Sequence, residues 1–289
     1  MTAARPAVDL ARWRAWIGRT QSAEDVIDPR RARALQAALD DPAPPLQVGD
    51  PLPPLWHWLY FWTVAPGHAL GPDGHPARGG FLPPIELPRR MWAGSRVTFH
   101  GPLALGAAAS RRSELTDIQL KEGSSGRLAF VSLRHQIAVG GKVCIDEAQD
   151  LVYREAPQAG EAPRPGEPAP AEAPWRREIV PEPVLLFRYS ALTFNGHRIH
   201  YDYRYATEVD GYPGLVVHGP LLATLMVGLA RAERPEATVT RFEFRALRPI
   251  FDGAPFVVAG RPAGDGKSAE LWVVDPEGMR AMQGRLGLA

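Results

Sequence analysis

The sequence predicts an α+β fold built from two similar units, each a curved antiparallel sheet wrapped around one central helix. Three observations carry that expectation. A run rich in Pro, Ala, Gly and Glu, Glu155 to Trp175, has almost nothing to bury and divides the chain. On each side of it stands one strongly apolar helical candidate. Each candidate is followed by a series of β-rich segments, and an apolar helix and an apolar sheet face bury each other.

The chain has 289 residues, of which 45% are apolar and 22% charged, enough to build a real core and too apolar for wholesale disorder. The expected division is an N-terminal helical extension over 1–45, a first unit over 46–154, a linker over 155–177 and a second unit over 178–289. A formal net charge of +1 leaves no electrostatic case for nucleic acid or an acidic lipid surface as partner. The single cysteine, Cys144, excludes an internal disulfide and a CxxC metal pattern. It reads as a small core residue, and the simplest address is cytoplasmic. The N-terminus lacks the apolar core of a secretory signal. The most apolar-aromatic run, "PLWHWLYFWTV", is too short to span a bilayer.

Two amphipathic helical patterns open the first half, near Val8–Ile17 and Arg30–Leu39. "PPLWHWLYFWT", with Pro at its first turn and apolar residues on nearly every face, predicts a short buried helix. Its aromatics read as core, with lining of an acyl tunnel as the second reading. "SRVTFHGPL", "RRSELTDIQLKEG", "GRLAFVSLRHQIA" and "KVCIDEAQDLVYR" then read as strands punctuated by glycine. In the second half "VLLFRYSALTF" reads as a strand and "FNGHRIHYD" as a polar loop with a short helix. "GPLLATLMVGLARAERP" is an enclosed helix, opened by Gly219 and Pro220 and stopped by Pro235. "ATVTRFEFRALRPIF", "APFVVAGRPAG" and "SAELWVVDPEG" complete the strands. The two units are expected to pair edge to edge.

"FNGHRIHYDYRYA" gathers two histidines, an asparagine, an arginine and an aspartate between segments that look buried, and "GYPGLVVHGPLLATLM" follows it. Together they resemble the C-terminal half of the MaoC-like hydratase/dehydratase family. The nearest branch is that of type 2 hydroxyacyl-thioester dehydratases and of mesaconyl-C4-CoA or itaconyl-CoA hydratases. "FLPPIELPRRMWAGSRVTFHGPL" and "GSSGRLAFVSLRHQI" resemble the same branch more weakly. The resemblance runs from about Leu46 to the C-terminus. It implies the double hotdog fold, a first unit without catalytic residues, and a hydro-lyase acting on a coenzyme A thioester with no separate cofactor. The family's signature histidine falls on His200 and its His-Gly helix opening on His218–Gly219. Its acid falls on Asn195, a departure from the usual Asp/His pair.

Adding water to an α,β-unsaturated thioester needs a base for the water, a proton for Cα and donors for the developing oxyanion. On the resemblance, His200 is the base and later the proton carrier, Asn195 orients the water, and the Gly219 N–H at an open helix start holds the oxyanion. Substrate contacts are expected from Arg198, His218, Asp202, Arg245 and Arg248. A carboxylated acyl group such as itaconyl or mesaconyl needs a cation, and a guanidinium clamps a carboxylate bidentately. Other readings stand beside these. Arg198 serves an ion pair with Asp202 or a CoA phosphate, Asp202 anchors His200 or is a solvated loop acid, and His218 is a cap. His197 with His200 forms HxxH, a zinc-like spacing without a third ligand, so no metal is expected. His57, His68, His75, His100 and His135 carry no pattern. The leading function is reversible hydration of a short C5-dicarboxylyl enoyl-CoA, in an itaconate-degradation setting, by a homodimer. The alternatives are a general 3-hydroxyacyl-thioester dehydratase of fatty-acid metabolism and a noncatalytic acyl-CoA-binding double hotdog.

Overall fold

The structure, a computed structural model, describes residues 9–123, 126–155 and 166–289. Ten antiparallel strands form one continuous sheet. The first half supplies β1 (Thr20–Val26), β2 (Arg89–Phe99), β3 (Ala108–Gly123), β4 (Gly126–Val139) and β5 (Lys142–Arg154). The second supplies β6 (Trp175–Ile179), β7 (Val239–Ala246), β8 (Phe256–Pro262), β9 (Ser268–Val274) and β10 (Arg280–Leu288). Their order is β1-β3-β4-β5-β2-β7-β10-β9-β8-β6, so each half reads alike from its own outer edge to the seam. The seam is the expected edge-to-edge pairing, β2 on β7, in register from Gly94 opposite Arg245 to Thr98 opposite Arg241. Gly94 is required there: a Cβ on it would lie 2.2 Å from the Phe244 carbonyl oxygen. This is the double hotdog architecture.

The second half encloses its expected helix, α4 (Gly219–Glu233), here numbered after α1 (Leu10–Arg14), α2 (Pro29–Ala38) and α3 (Pro183–Thr193). Nine of its fifteen residues are buried, from Leu221 to Ala230, and it packs on β6, β8, β9 and β10. Each buried Leu or Met contributes about 1.5–3 kcal/mol relative to exposure, so the helix and the concave sheet face hold each other. Among the described residues the first half has no such helix. "PPLWHWLYFWT" forms only a four-residue 3-10 turn, Trp56–Leu59, with left-handed residues Leu55 (φ 72°) and Phe61 (φ 58°) beside it. A backbone kinked at both ends sends the aromatic side chains in different directions, and no helix propagates.

Three further expectations are corrected. "VLLFRYSALTF" is α3, not a strand; its buried residues Leu186, Tyr189 and Ser190 recur at helical spacing, and Pro183 starts it. Residues 20–26, inside the segment expected to be helical, form edge strand β1 on β3. Its inward positions are Gln21, Ala23 and Asp25, so no apolar alternation announces it. Of the expected linker, 156–165 lie outside the described residues. Its later part joins the second half of the sheet: Ala169 and Ala173 pack on the cluster of Val257, Ala259 and Trp272, and Trp175 opens β6 on β8. No described helix is long and apolar enough to cross a membrane.

Candidate active site

Phe194 ends α3 in the left-handed region (φ 51°) and turns the chain into the polar segment. The Asn195 side-chain oxygen then accepts the His197 N–H at 3.0 Å, a local turn that fixes the amide's orientation. One 3-10 turn, Arg198–His200, brings His200 inward, where it is 8% exposed. Its Nδ1 lies 2.6 Å from the Val216 carbonyl oxygen. A carbonyl only accepts, so Nδ1 carries the proton and Nε2 presents a lone pair. Burial pushes the imidazole pKa down to about 4 against the opposing pull of the Val216 carbonyl, so His200 is a neutral base at pH 7.

His218 stacks on His200 with ring centroids 3.7 Å apart. It is 1% exposed, and its Nε2 meets the Ser190 Oγ at 2.8 Å. Burial and then the neighbouring histidines hold it uncharged. α4 begins at the next residue, Gly219. Pro220 has no N–H, so the first turn presents its positive end through the Gly219 amide. Asn195, His200 and Gly219 all line one cavity of about 1090 Å³, whose wall runs from the start of α4 into the first half. The imidazole lone pair and the open helix start therefore share a chamber.

The expected substrate contacts fare differently. Arg198 is outside the cavity wall, since its Nε and Nη2 donate to Asp202 Oδ2 at 3.0 and 2.7 Å and its Nη1 to the Pro72 carbonyl at 3.1 Å. Asp202 is the other partner of that pair and also accepts the Tyr205 N–H, so it does not anchor His200. Arg245 is exposed on the sheet face opposite Phe242 and Phe244, because alternate residues of β7 point opposite ways. His218 backs the ring of His200 from outside the cavity and makes no side-chain cap. Arg248 does line the cavity, held in ion pairs with Asp275 (3.4 Å) and Glu277 (3.2 Å).

Two groups escaped the sequence reading. Asp73 and His75, on a loop of the first half, reach the segment that carries Asn195 to His200. Asp73 Oδ2 meets His75 Nδ1 at 3.1 Å, and the His75 ring lies 4.2 Å from that of His197. The only local signal is the turn-prone "PDGH", which says nothing of where the loop lands. Ligand atoms of Asp73, His75 and His197 lie within 4.8 Å of one another, a cluster that takes in His197 but not His200 and so does not complete HxxH. Both Asp73 oxygens are already hydrogen-bonded by His75, so a cation would have to displace those bonds.

The second group is the buried carboxylate Glu147. It accepts from Trp58 Nε1 (3.1 Å) and Ser95 Oγ (2.8 Å) and pairs with His57 Nε2 (3.0 Å) at the cavity's first-half end. Burial alone would raise its pKa; the His57 hydrogen bond, the electrostatic pull of His57 and His135 and the Ser95 hydrogen bond together outweigh it and bring it down to about 2.

A family model for hydroxyacyl-thioester dehydratase type 2 matches residues 55–252. A mesaconyl-C4-CoA hydratase of Chloroflexus aurantiacus is 49% identical over 280 residues, covering 96% of this chain and 98% of its own. The mitochondrial hydroxyacyl-thioester dehydratase type 2 of Schizosaccharomyces pombe is 28% identical over 247 residues, 77% of this chain and 80% of its own. Among solved structures, a MaoC-like dehydratase from Phytophthora capsici superposes with a TM-score of 0.66 at 14% identity, over 98% of this chain and 99% of that one. A double hotdog protein of Mycobacterium tuberculosis gives 0.57 at 15% identity, over 94% and 96%.

Proposed function

The chain belongs to the hydroxyacyl-thioester dehydratase type 2 family and is a hydro-lyase; from that premise we propose that it catalyses the reversible hydration of a C5-dicarboxylyl enoyl-CoA, with mesaconyl-C4-CoA as the preferred substrate. The observation that carries the chemistry is the shared cavity of a tautomer-fixed His200 and the open start of α4 at Gly219. The choice of substrate rests on the 49% identical relative.

His200 Nε2 takes a proton from water as the oxygen bonds to Cβ. The π electrons move to the thioester oxygen, which the Gly219 N–H stabilises. The enolate then takes the proton at Cα from the same imidazole, and His200 is neutral again. Asn195, whose side-chain oxygen is engaged, directs its amide N–H groups at the water. Arg198 being committed to Asp202, the substrate's free carboxylate is assigned to Arg90, one of several arginines on the cavity wall. That residue lines the cavity, and its charge is felt by His75 and His197. Among the described residues β1 and β6 each pair on one side only, and such edges favour the homodimer.

The test is turnover of the purified protein on mesaconyl-C4-, itaconyl- and crotonyl-CoA, followed by loss of the enoyl-thioester absorbance. Preference for mesaconyl-C4-CoA is expected. Preference for crotonyl-CoA makes the protein a general dehydratase, and no turnover of any of the three removes the hydratase reading.

A further inference from the structure

We propose that His75, from the half expected to lack chemistry, is a further catalytic residue: it accepts a hydrogen bond from the second O–H of the water that His200 activates. The assignment rests on the hydration reading above and adds a residue to it.

Three groups that line the cavity have each had one hydrogen-bonding atom taken by the protein itself. His200 Nδ1 is occupied by the Val216 carbonyl. His75 Nδ1 is occupied by Asp73 Oδ2 at 3.1 Å, while Asp73 Oδ1 accepts the His75 backbone N–H at 3.0 Å. Burial works against the Asp73 charge, but the His75 hydrogen bonds outweigh it and keep the carboxyl ionised. An ionised carboxylate only accepts, so His75 carries its proton on Nδ1 and offers a lone pair at Nε2. Asn195 has its side-chain oxygen on the His197 N–H, which leaves the NH2 end as a donor. What remains is two lone pairs and one donor. That is the complement of a single water molecule, which donates one O–H to each imidazole, accepts from Asn195, and keeps its last lone pair for Cβ.

The loop that brings His75 is fastened to the catalytic segment by backbone. The Arg198 N–H donates to the Asp73 carbonyl at 2.9 Å, and the Arg198 guanidinium to the Pro72 carbonyl at 3.1 Å. Gly74, at φ +85°, meets Gly196 so closely that a Cβ would lie 1.9 Å from the Gly196 carbonyl oxygen. The His197 ring neighbours both imidazoles, 4.2 Å from the ring of His75 and 5.4 Å from that of His200, and His75 is near enough for its charge to act on His200. During addition, the O–H facing His200 breaks and its proton goes to Nε2. The O–H on His75 stays intact and becomes the product hydroxyl.

The experiment compares His75→Phe, His75→Gln and Asp73→Asn with wild type, on whichever of the three enoyl-CoAs wild type hydrates. Affinity for the saturated analogue butyryl-CoA is measured in parallel. His75→Phe should lower kcat on the order of 10²-fold with butyryl-CoA affinity unchanged. His75→Gln, which keeps an acceptor, should recover about tenfold of that loss, and Asp73→Asn should fall between. Three results overturn the assignment alone: His75→Phe within about threefold of wild type, no recovery in His75→Gln, or butyryl-CoA affinity lost in step with kcat. A wild type that hydrates none of the thioesters overturns the hydratase reading and this assignment with it.

Discussion

In the second half of the molecule the concave sheet face meets α4, a helix that is apolar nearly all round and whose first residue opens into the cavity. In the first half the equivalent face, with the same strand order, itself carries a buried carboxylate, Glu147 of β5, with three hydrogen-bonding side chains around it, and faces open volume. Identical strand topology therefore serves two ends. A continuous helix seals one sheet and aims a dipole, whereas a kinked four-residue turn leaves the other sheet hollow. On the proposed mechanism the hollow half makes room for an acyl group, and the sealed half supplies the base and the oxyanion donor.

The largest effect that would break this division is at His200. His200→Ala should reduce hydration by roughly 10²–10⁴-fold with the thermal transition retained, and near-normal turnover would move the chemistry elsewhere. The same residue sets a pH signature. Its pKa is depressed, so the neutral base is present through neutral pH. Wild-type kcat/KM should stay flat there and fall only as pH drops towards about 4. A fall centred near the ordinary imidazole value of 6.5 contradicts the buried, neutral state.

Next in size is the first-half carboxylate. Glu147→Ala strands His57, Trp58 and Ser95 and should cost about 3 kcal/mol of stability, read as a lower urea midpoint, with a smaller effect on the chemical step. Because the folded-state pKa of Glu147 is depressed, its contribution is present above the ordinary value of 4.5 and is lost as pH falls towards about 2. Loss of turnover without loss of stability would place Glu147 in the catalytic machinery.

Smaller still is Asn195→Ala, which removes one orienting hydrogen bond and should lower kcat about tenfold. The smallest effect is expected at Arg198→Ala. The pair with Asp202 is part-exposed, so its loss should cost less than about 1 kcal/mol and leave substrate preference unchanged. A change in preference for dicarboxylyl over simple enoyl-CoA would return Arg198 to the substrate.

That Asn195, His200 and Gly219 share one cavity was legible because they are nearly contiguous. His200 and the Gly219 helix opening are separated by one short excursion, and Gly-Pro is a strong helix start. The seam between halves followed from element order. His75 was not legible: it lies far upstream in a Pro/Gly loop, and the Gly74–Gly196 approach and the Arg198 backbone bond put it against His197, on the wall of the cavity that His200 lines. Arg198 misled for the opposite reason. A cation next to a catalytic residue in sequence suggests a substrate clamp, but a 3-10 turn points successive side chains in different directions. α3 was misread because a short apolar run fits a buried strand as well as a helix until its three-dimensional neighbours are known.

The seam of β2 on β7 carries one more consequence. Had these sheets belonged to two identical copies meeting on a dyad, every mutation would strike both sides of the axis at once. Fusing them into a single polypeptide removes that constraint. Each side can drift on its own, so a lineage can widen or narrow the acyl chamber while the imidazole opposite it is left untouched.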